Sequence, residues 1–432
     1  ADDTVTLNNL RQDLFPDRQF RGRELLEEAS WSEWMDFLAS GTVQRVLEVA
    51  PGDWSHYCRA PLLRLQHEVP AVPLNGMDCV VHGTIPMGAG LSSSSALVVA
   101  FAEAAVALNG LDVALRDFID LCGEGEWFVG SRGGSADHAA IRGGKPGVVS
   151  LLGFFPFRLL REVPFPPALR VVLAHSGTQA VKSAGARGVF NQRVATYEIA
   201  ERILRQRWSA ARGSEHLRDL LPHRLGVTAG DLYRALECLP ETAGRGDIEA
   251  MLPDLQRPDL ERLYATHPEP ETYDLRGVTL FGLAECARSE EFPALLLENR
   301  LAAVGRSMAA SHDGDRVRRF GADGLKTDHR IPLDDARLEE LAETEAPLAA
   351  QSGRYACSTP AIDRMVELAC RCEGVIGAQL AGAGLGGCMM ILVRENGLEE
   401  LRNTLAREYY GREGIDARMF VCQPVAGAGL LA

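Results

Sequence analysis

Short apolar runs alternate along the chain with longer helix-forming stretches, and this pattern predicts strands mixed with helices. Residues 77–83 and 169–174 are short and mostly apolar, which is typical of buried strands. Residues 93–108 are mostly good helix formers without glycine or proline, which favours a helix. By the same patterns we predict further strands at residues 4–7, 389–393 and 417–422. We also predict helices at residues 54–66 and 113–129, from residue 189 onward, and within residues 355–370, where residues 358–360 read STP and form a capped start.

The segment that enters the predicted helix at residue 93 reads PMGAGLSSSS over residues 86–95. Gly88 and Gly90 have no Cβ atom, so the backbone there can take a positive φ and let a ligand approach closely. The four serines supply hydroxyl groups and a helix N-cap. The first-turn N–H groups would then point toward the glycine turn, as in anion sites. On these residues alone two interpretations stay open: a phosphate cradle, or a capped buried helix after a tight turn.

Two common nucleotide motifs do not fit this chain. Residues 143–146 read GGKP, with proline where a P-loop needs Ser or Thr, and serines replace the third glycine of a dinucleotide fingerprint after Gly90. Residues 382–387 read GAGLGG and match G-x-G-x-x-G, but an apolar strand pattern follows instead of a helix. We therefore reject a dinucleotide site.

Residues 86–96 resemble the ATP-binding motif of the GHMP small-molecule kinases, in the galactokinase and N-acetylgalactosamine kinase-like branch. The resemblance implies ATP as phosphoryl donor, together with Mg²⁺. Residues 378–388 resemble the third GHMP motif, a glycine loop beside the phosphates. The residues implied to bind ATP are Pro86, Gly88, Ala89, Gly90, Leu91, Ser92, Ser93, Ser94 and Ser95.

Residues 126–138 read EWFVGSRGGSADH. On the residues alone, a carboxylate just after Gly-Gly could be no more than a helix N-cap. The segment resembles a galactokinase segment in which a Glu, a Gly-Gly and an Asp recur at matching spacing. The resemblance implies that Glu126 and Ser94 hold Mg²⁺ and that Asp137 is the catalytic carboxylate.

Residues 175–194 resemble a galactokinase-type strand followed by a Phe/Tyr-Asn-x-Arg helix. Many galactokinases carry Tyr where this chain has Phe190, whereas N-acetylgalactosamine kinase-like members carry Phe. Lys182 could offset phosphate charge or be a solvated surface lysine. The residues implied to contact the sugar are Gly133, Gly134, Asp137, Phe190 and Gly384.

The composition limits the class of protein. A length of 432 residues suits two domains, expected at residues 1–165 and 166–432, with an insertion loop and one acidic helix near residues 313–352. The net charge of −14 argues against a general nucleic-acid or anionic-membrane binder. The 10 cysteines are scattered without C-x-x-C, which favours buried reduced thiols in a cytoplasmic protein. The N-terminus lacks a leader pattern, and no apolar run reaches membrane-spanning length.

The resemblance implies an α+β fold of two domains: a ribosomal protein S5 domain 2-like N-terminal domain and a ferredoxin-like C-terminal domain with added helices. The implied activity is ATP-dependent phosphorylation of a small-molecule hydroxyl, above all the anomeric hydroxyl of a galactose-type sugar.

One departure from the family concerns the sugar-gripping signature, approximately Gly-Arg-x-Asn-x-Ile-Gly-Glu-His-x-Asp-Tyr. It is absent from the sequence, and residues 21–24 do not replace it. Either the chain is a piece of a longer protein, or it is a divergent member with a different acceptor or none, such as a kinase-fold sensor of sugar or nucleotide. Intact Glu126 and Asp137 favour the enzyme.

Overall fold

The computed structural model describes residues 2–28, 32–130, 133–154, 156–178, 184–252, 257–320, 326–329 and 331–431. These residues form two compact units. The first unit contains Ala1–Met87, Ser92–Glu162 and Pro424–Ala432, and the second contains Gly88–Leu91 and Val163–Gln423. The short glycine turn therefore belongs to the second unit, although the segments on both sides of it belong to the first.

The elements up to residue 164 are five strands and seven α-helices, counted over the described residues. The strands are β1 (Thr4–Asn9), β2 (Arg18–Arg21), β3 (Met77–Val81), β4 (Val148–Gly153) and β5 (Arg158–Pro164). The helices are α1 (Glu24–Glu28), α2 (Trp34–Ala39), α3 (Gly41–Val49), α4 (Ser55–Glu68), α5 (Ser93–Leu108), α6 (Leu115–Glu126) and α7 (Ala136–Gly143).

The sheet of the first unit has the strand order β2-β1-β3. β1 runs antiparallel to β2 and parallel to β3, with Val5 opposite Met77. Alternate side chains of β1 are buried, and Val5 and Leu7 pack in one core with residues of α4, α5 and α6. This core fixes where α5 begins and where α6 ends.

The remaining elements continue the same numbering through the second unit. The strands are β6 (Leu169–His175), β7 (Thr242–Ala243), β8 (Tyr273–Asp274), β9 (Arg318–Phe320), β10 (Lys326–Asp328), β11 (Val375–Leu380), β12 (Cys388–Arg394) and β13 (Met419–Cys422). The helices are α8 (Ala184–Arg207), α9 (Pro222–Leu225), α10 (Ala229–Leu236), α11 (Arg245–Met251), α12 (Arg257–Tyr264), α13 (Leu275–Leu297), α14 (Leu301–Asp315), α15 (Asp335–Glu343), α16 (Pro360–Ala369), α17 (Leu398–Leu405) and α18 (Gly411–Glu413).

The main sheet of the second unit is antiparallel, in the order β11-β12-β6-β13. Numbered along the chain, these strands stand in the order 2-3-1-4, which is the arrangement of a ferredoxin-like βαββαβ unit. Helices α16 and α17 pack on the sheet through a shared apolar core. The expected ferredoxin-like half is therefore present.

The added helices of the second unit form a core of their own. Buried side chains of α8, α10, α13 and α15 meet there, among them Ile203, Tyr233 and Leu283. The segment expected to be an insertion loop contributes to this core through Leu338 and Leu341, and α15 is the acidic helix predicted within it. The predicted acidic helix is confirmed, and two short strands, β9 and β10, occupy part of the segment expected as loop.

Several predicted elements have the predicted bounds, and others begin or end elsewhere. α5 covers residues 93–108 as predicted, and β12 confirms the strand after the second glycine motif. α16 begins at Pro360, after Thr359 has capped it by accepting a hydrogen bond from the Ile362 N–H, which confirms the capped start predicted at residues 358–360. α8 begins at Ala184, earlier than predicted, and α6 ends at Glu126 before a short 3₁₀ turn.

Candidate functional site

The chain turns sharply just before α5, and the turn has a left-handed backbone at three places. The φ angle is 64° at Gly88, 71° at Gly90 and 55° at Ser92. The two glycines confirm the predicted positive φ. Ser92 is the N-cap residue, but its side chain makes no capping hydrogen bond, since serine caps a helix from an extended backbone. The expectation of a hydroxyl cap is therefore wrong for Ser92. Its side chain accepts no hydrogen bond at the N-terminus of α5, where the helix dipole places a partial positive charge.

A second glycine loop joins β11 to β12 at residues 381–387. Its backbone is left-handed over most of its length, which an ordinary residue resists. The φ angles are 74° at Gly382, 81° at Gly384, 59° at Leu385, 126° at Gly386 and 83° at Gly387. Gly382 and Ala383 are exposed, whereas Gly384, Gly386 and Gly387 are buried.

Within the second unit this loop packs directly on the turn before α5. A Cβ atom added at Gly387 would lie 2.7 Å from the Ala89 carbonyl oxygen, and one added at Gly382 would lie 2.9 Å from the Gly90 carbonyl oxygen. Side chains do not approach a carbonyl oxygen so closely. The two backbones therefore touch at a place where only glycine fits, and sequence motifs far apart in the chain form one paired glycine site.

The second glycine loop is fixed to its own unit by backbone hydrogen bonds. The Ser176 N–H donates to the Gly387 carbonyl at 2.8 Å, and the Leu385 N–H donates to the Cys357 carbonyl at 2.7 Å. A Cβ atom at Gly384 would collide with that same Cys357 carbonyl oxygen. Gly384, expected to contact the sugar, is thus also required by the packing of the loop.

A buried His–Asp pair lies beside the start of the same loop. His312 Nδ1 accepts a hydrogen bond from the Leu380 N–H at 3.3 Å, and its Nε2 lies 3.3 Å from Asp363 Oδ1. Asp363 Oδ2 accepts from the backbone N–H groups of Val317 at 3.0 Å and Arg318 at 2.7 Å. Burial lowers the pKa of His312. Burial opposes the Asp363 carboxylate, but hydrogen bonds to it outweigh burial and keep its pKa below the usual value.

In the first unit, the first turn of α5 lies against the end of α6. Ser95 Oγ donates to Glu126 Oε2 at 2.8 Å, and His138 Nε2 of α7 lies 2.9 Å from the same oxygen. Ser95 and His138 are 3% and 2% exposed, so the Glu126 carboxylate is held from a buried side. Ser94, predicted beside Glu126, occupies the preceding position of the same helical turn.

Asp137 stands on the first turn of α7 and is exposed to solvent. The N-cap of α7 is Ser135, so the interpretation of Asp137 as an N-cap is wrong. Gly133 and Gly134 before it have open space where a Cβ atom would stand. The Trp127 indole Nε1 donates to the Gly133 carbonyl at 2.8 Å and fixes this glycine pair. The carboxylate and the open glycine backbone therefore offer an accessible polar surface.

Phe190 lies in the early part of α8 and is half-buried. Its neighbour Asn191 is buried, and the Asn191 Nδ2 donates to the Thr266 carbonyl at 2.9 Å, which fixes this part of the helix. Lys182 lies outside the described residues. The ring of Phe190 therefore stands on an anchored stretch of helix, in the unit that also contains the paired glycine site.

Sequence reasoning missed two features of the site. His138 follows Asp137 directly but points into the core, whereas Asp137 faces solvent. Helical geometry could have separated the two side chains, but the partner of His138 is set by packing between α6 and α7. The His312–Asp363 pair was missed because its members are far apart in sequence.

Metal-binding clusters and membrane-spanning helices are both absent from the part of the chain that the structure describes. The described residues contain no group of three His, Cys, Asp or Glu side chains placed to hold a metal ion. None of the helices described is both long and apolar enough to cross a bilayer. The ten cysteines all lie in the described part of the chain and are free thiols.

Two family models match the chain. The model for the GHMP kinases N terminal domain matches residues 56–144, and the model for the GHMP kinases C terminal matches residues 333–411. The first match contains the turn before α5, Glu126 and Asp137, and the second contains the second glycine loop. The chain belongs to the GHMP kinase superfamily.

Relatives and a solved structure indicate the branch of the superfamily to which the chain is similar. The chain is 28% identical over 378 residues to the galactokinase of Roseiflexus sp. (strain RS-1), covering 87% of this chain and 75% of the relative. It is 26% identical over 402 residues to the galactokinase of Saccharomyces cerevisiae, covering 84% and 72%. The crystal structure of Lactococcus lactis galactokinase complexed with galactose has a TM-score of 0.63 at 18% identity, covering 99% of this chain and 84% of that one. The α+β fold is confirmed, and within the superfamily the chain is of the galactokinase-like branch.

Proposed function

We propose that this protein is an ATP-dependent sugar kinase that phosphorylates the anomeric hydroxyl of a galactose-type sugar. The observation that carries the proposal is the paired glycine site, where Gly382 and Gly387 pack on Ala89 and Gly90. It stands in a chain whose relatives, named galactokinases, match it over most of its length. Phosphoryl transfer depends mainly on positioning and charge neutralisation, which such backbone sites supply.

The nucleotide phosphates would lie along the turn at Gly88–Leu91 and the first turn of α5. The helix N-terminus directs backbone N–H groups and a partial positive charge toward an anion. Ser92, Ser93 and Ser94 add hydroxyl donors there, whereas the Ser95 hydroxyl donates to Glu126. The second glycine loop would support the turn at Gly88–Leu91, since it packs on Ala89 and Gly90.

The proposal places Mg²⁺ at Glu126 with a serine hydroxyl of α5. The donor set fits this ion: a carboxylate held in place by Ser95 and flanked by Ser94 is the kind of partial shell that magnesium completes with phosphate oxygens and water. When bound, Mg²⁺ would supply charge neutralisation for the phosphates. The role of Ser95 in this arrangement is to hold the carboxylate in one orientation.

Asp137 is proposed as the catalytic carboxylate. It is exposed next to the open backbone of Gly133 and Gly134, so an acceptor hydroxyl can reach it. There the carboxylate would orient the hydroxyl oxygen for attack and accept its proton as the new P–O bond forms. Phe190 is proposed as a sugar contact within the second unit. The ten free thiols support a reducing, cytoplasmic location.

The test is an assay of the chain with ATP, Mg²⁺ and free galactose, scored by ADP release and by locating the new phosphate with NMR. We expect a sugar 1-phosphate from the parent chain and none from Asp137→Asn, with ATP affinity unchanged. Asp117→Asn is the matched control, because Asp117 is likewise exposed in the first turn of a helix. Turnover of Asp137→Asn close to the parent would refute its role, and ATP binding without turnover by the parent would favour the sensor.

A further inference from the structure

A cavity of about 330 Å³ opens on the first unit, away from every residue assigned above. Its walls come from β2, from α3 and from the start of α4. A cavity of this volume is at the lower end of the range for small-molecule sites. The lining residues that decide its chemistry are Arg18, Phe20, Arg45, Asp53 and Arg59.

Arg59 is the unusual member of this lining. Its guanidinium lies over the Phe20 ring, 4.5 Å from the ring centroid. Its Nε is buried and has no hydrogen-bond partner in the described part of the chain. Burial lowers the pKa of Arg59, while the carboxylates of Glu24 and Asp53 act on it only at a distance. A desolvated cation without a contacting anion is unfavourable, so this wall is suited to an anionic ligand.

Asp53 does not neutralise Arg59, because its oxygens are already engaged. Asp53 Oδ2 accepts from Arg18 Nε at 2.9 Å and from its terminal nitrogen at 2.6 Å. Asp53 Oδ1 accepts from the Ser55 N–H at 2.9 Å and from its hydroxyl at 2.6 Å. Arg18 and Asp53 thus satisfy one another and leave Arg59 as the unmatched charge on this wall.

The other lining groups define the size and polarity of the ligand. Arg45 is exposed and donates to Thr42 Oγ1 at 3.2 Å, so its remaining N–H groups can turn toward the cavity. Phe20 and Val46 supply apolar surface. Glu28 is an exposed acidic residue of the lining and disfavours a second negative group on the ligand.

We propose that this cavity binds a small phosphate monoester, of the size of a hexose phosphate. Guanidinium groups match phosphate oxygens in a bidentate way, and a dianionic phosphate gains more from two arginines than a carboxylate does. Arg59 holds the phosphate, Arg45 closes on it, and Phe20 and Val46 contact the carbon skeleton. The site is separate from the proposed kinase chemistry, and its occupation does not depend on that chemistry.

The experiment is isothermal titration of the full chain, with Mg-ADP present at saturation to occupy the nucleotide site. The probes are glucose 6-phosphate, inorganic phosphate, gluconate and glucose. We expect saturable binding of glucose 6-phosphate, weaker binding of inorganic phosphate and gluconate, and none of glucose. Inorganic phosphate or gluconate binding as tightly as glucose 6-phosphate would overturn the assignment of an organic phosphate.

Substitutions of the lining arginines test whether glucose 6-phosphate binds in this cavity. Arg59→Gln should weaken glucose 6-phosphate about tenfold or more, since it removes the unmatched charge. Arg45→Gln should weaken glucose 6-phosphate binding less than Arg59→Gln does. Because Arg45 is exposed, this variant should fold like the parent, so it still tests the proposal if Arg59→Gln unfolds. Arg116→Gln, an exposed arginine on α6, is the control. Unchanged affinity in Arg45→Gln and in a folded Arg59→Gln would overturn the proposal, as would the absence of saturable binding to the parent chain.

Discussion

His312 Nε2 faces Asp363 Oδ1 across 3.3 Å, and the two side chains are only 1% and 0% exposed. Because the other ring nitrogen accepts the Leu380 N–H, the proton of the neutral ring lies on Nε2, the nitrogen that is 3.3 Å from the carboxylate. Leu380 directly precedes the second glycine loop. The pair therefore connects the end of α14 and the start of α16 to the strand that enters the loop.

Removing the Asp363 carboxylate should lower the stability of the folded chain. Asp363→Ala leaves the Val317 and Arg318 N–H groups and the His312 ring buried without their acceptor, so we expect the free energy of unfolding to fall by about 3 kcal/mol. Urea denaturation measures it, with exposed Asp112→Ala as control. The effects of His312→Ala and Asp363→Ala should be less than additive. If each variant lost less than about 1 kcal/mol and the two losses added up in the double variant, the pair would not act as a unit.

The paired glycine site predicts a specific sensitivity to a single methyl group. Gly387→Ala must move the Ala89 backbone, whereas Gly414→Ala meets nothing within 4 Å at a similarly positive φ. Both variants should lose about 1 kcal/mol of stability to the left-handed backbone. Only Gly387→Ala should also weaken ATP binding, measured by titration with a fluorescent nucleotide. Equal nucleotide affinities in the two variants would contradict the proposed cradle.

Magnesium dependence separates Glu126 from a nearby glutamate on the same helix. Glu126→Gln should raise the Mg²⁺ concentration needed for half-maximal nucleotide binding by about tenfold, and Ser95→Ala should do so to a smaller extent. Glu124→Gln is the control, because Glu124 pairs with Arg64 at 2.8 Å instead. Identical magnesium titrations for all three variants would mean that Glu126 serves only the packing of α5 on α6.

A buried acid outside the proposed site sets a pH dependence of stability. Burial is the main cause that raises the pKa of Glu201 to about 7; Glu198 and Asp219 add to the effect of burial, and Arg205 and Arg202 oppose it. Between the ordinary value of 4.5 and about 7 the folded chain keeps a proton that the unfolded chain releases. The contribution of Glu201 is therefore full below pH 4.5 and is lost as pH rises to about 7.

Glu201→Gln should remove that dependence. At pH 8 we expect the variant to be more stable than the parent by up to about 3 kcal/mol, and the difference should shrink toward pH 4.5. Urea midpoints at several pH values measure it, with exposed Glu399→Gln as control. A parent–variant difference that does not change with pH would mean that Glu201 is ionised throughout.

The acceptor preference should follow from Phe190. Phenylalanine cannot donate the hydrogen bond that tyrosine would give to a sugar, and an apolar wall discriminates weakly between substituents. We therefore expect 2-acetamido or otherwise modified hexoses to be phosphorylated at least as well as galactose. Phe190→Tyr should shift the kcat/KM ratio toward galactose. A panel of free sugars decides the matter, and a strong preference of the parent for unmodified galactose would contradict it.

Local features of the fold could be predicted from the sequence, and long-range ones could not. α5 has its predicted bounds because the glycine turn and the unbroken helix-forming run are neighbours in the chain. The left-handed Ser92 could not be foreseen, since nothing local to a serine favours positive φ. The acidic helix within residues 313–352 could be predicted, but the burial of its leucines could not, since the residues of α10 and α13 that share their core are distant in sequence.

The candidate site likewise contains features that could be predicted from the sequence and features that could not. Motifs and family resemblance indicated Gly88, Gly90, Glu126 and Asp137 as candidates, because their spacing is local. The contact of Ser95 and His138 with Glu126 depends on how three helices pack. Spacing along one chain does not encode that packing, and the resemblance assigned no partner to His138.

The pairing of Gly90 with Gly382 has a consequence for how a new chain is made. These residues are separated by most of the sequence, so their contact is among the least local in the molecule. A ribosome delivers the N-terminal turn first. That turn lacks the backbone on which it packs until β11 and the loop after it have emerged. A nascent chain therefore has no complete nucleotide cradle until the second glycine loop has been synthesised, almost 300 residues after the turn that it packs on.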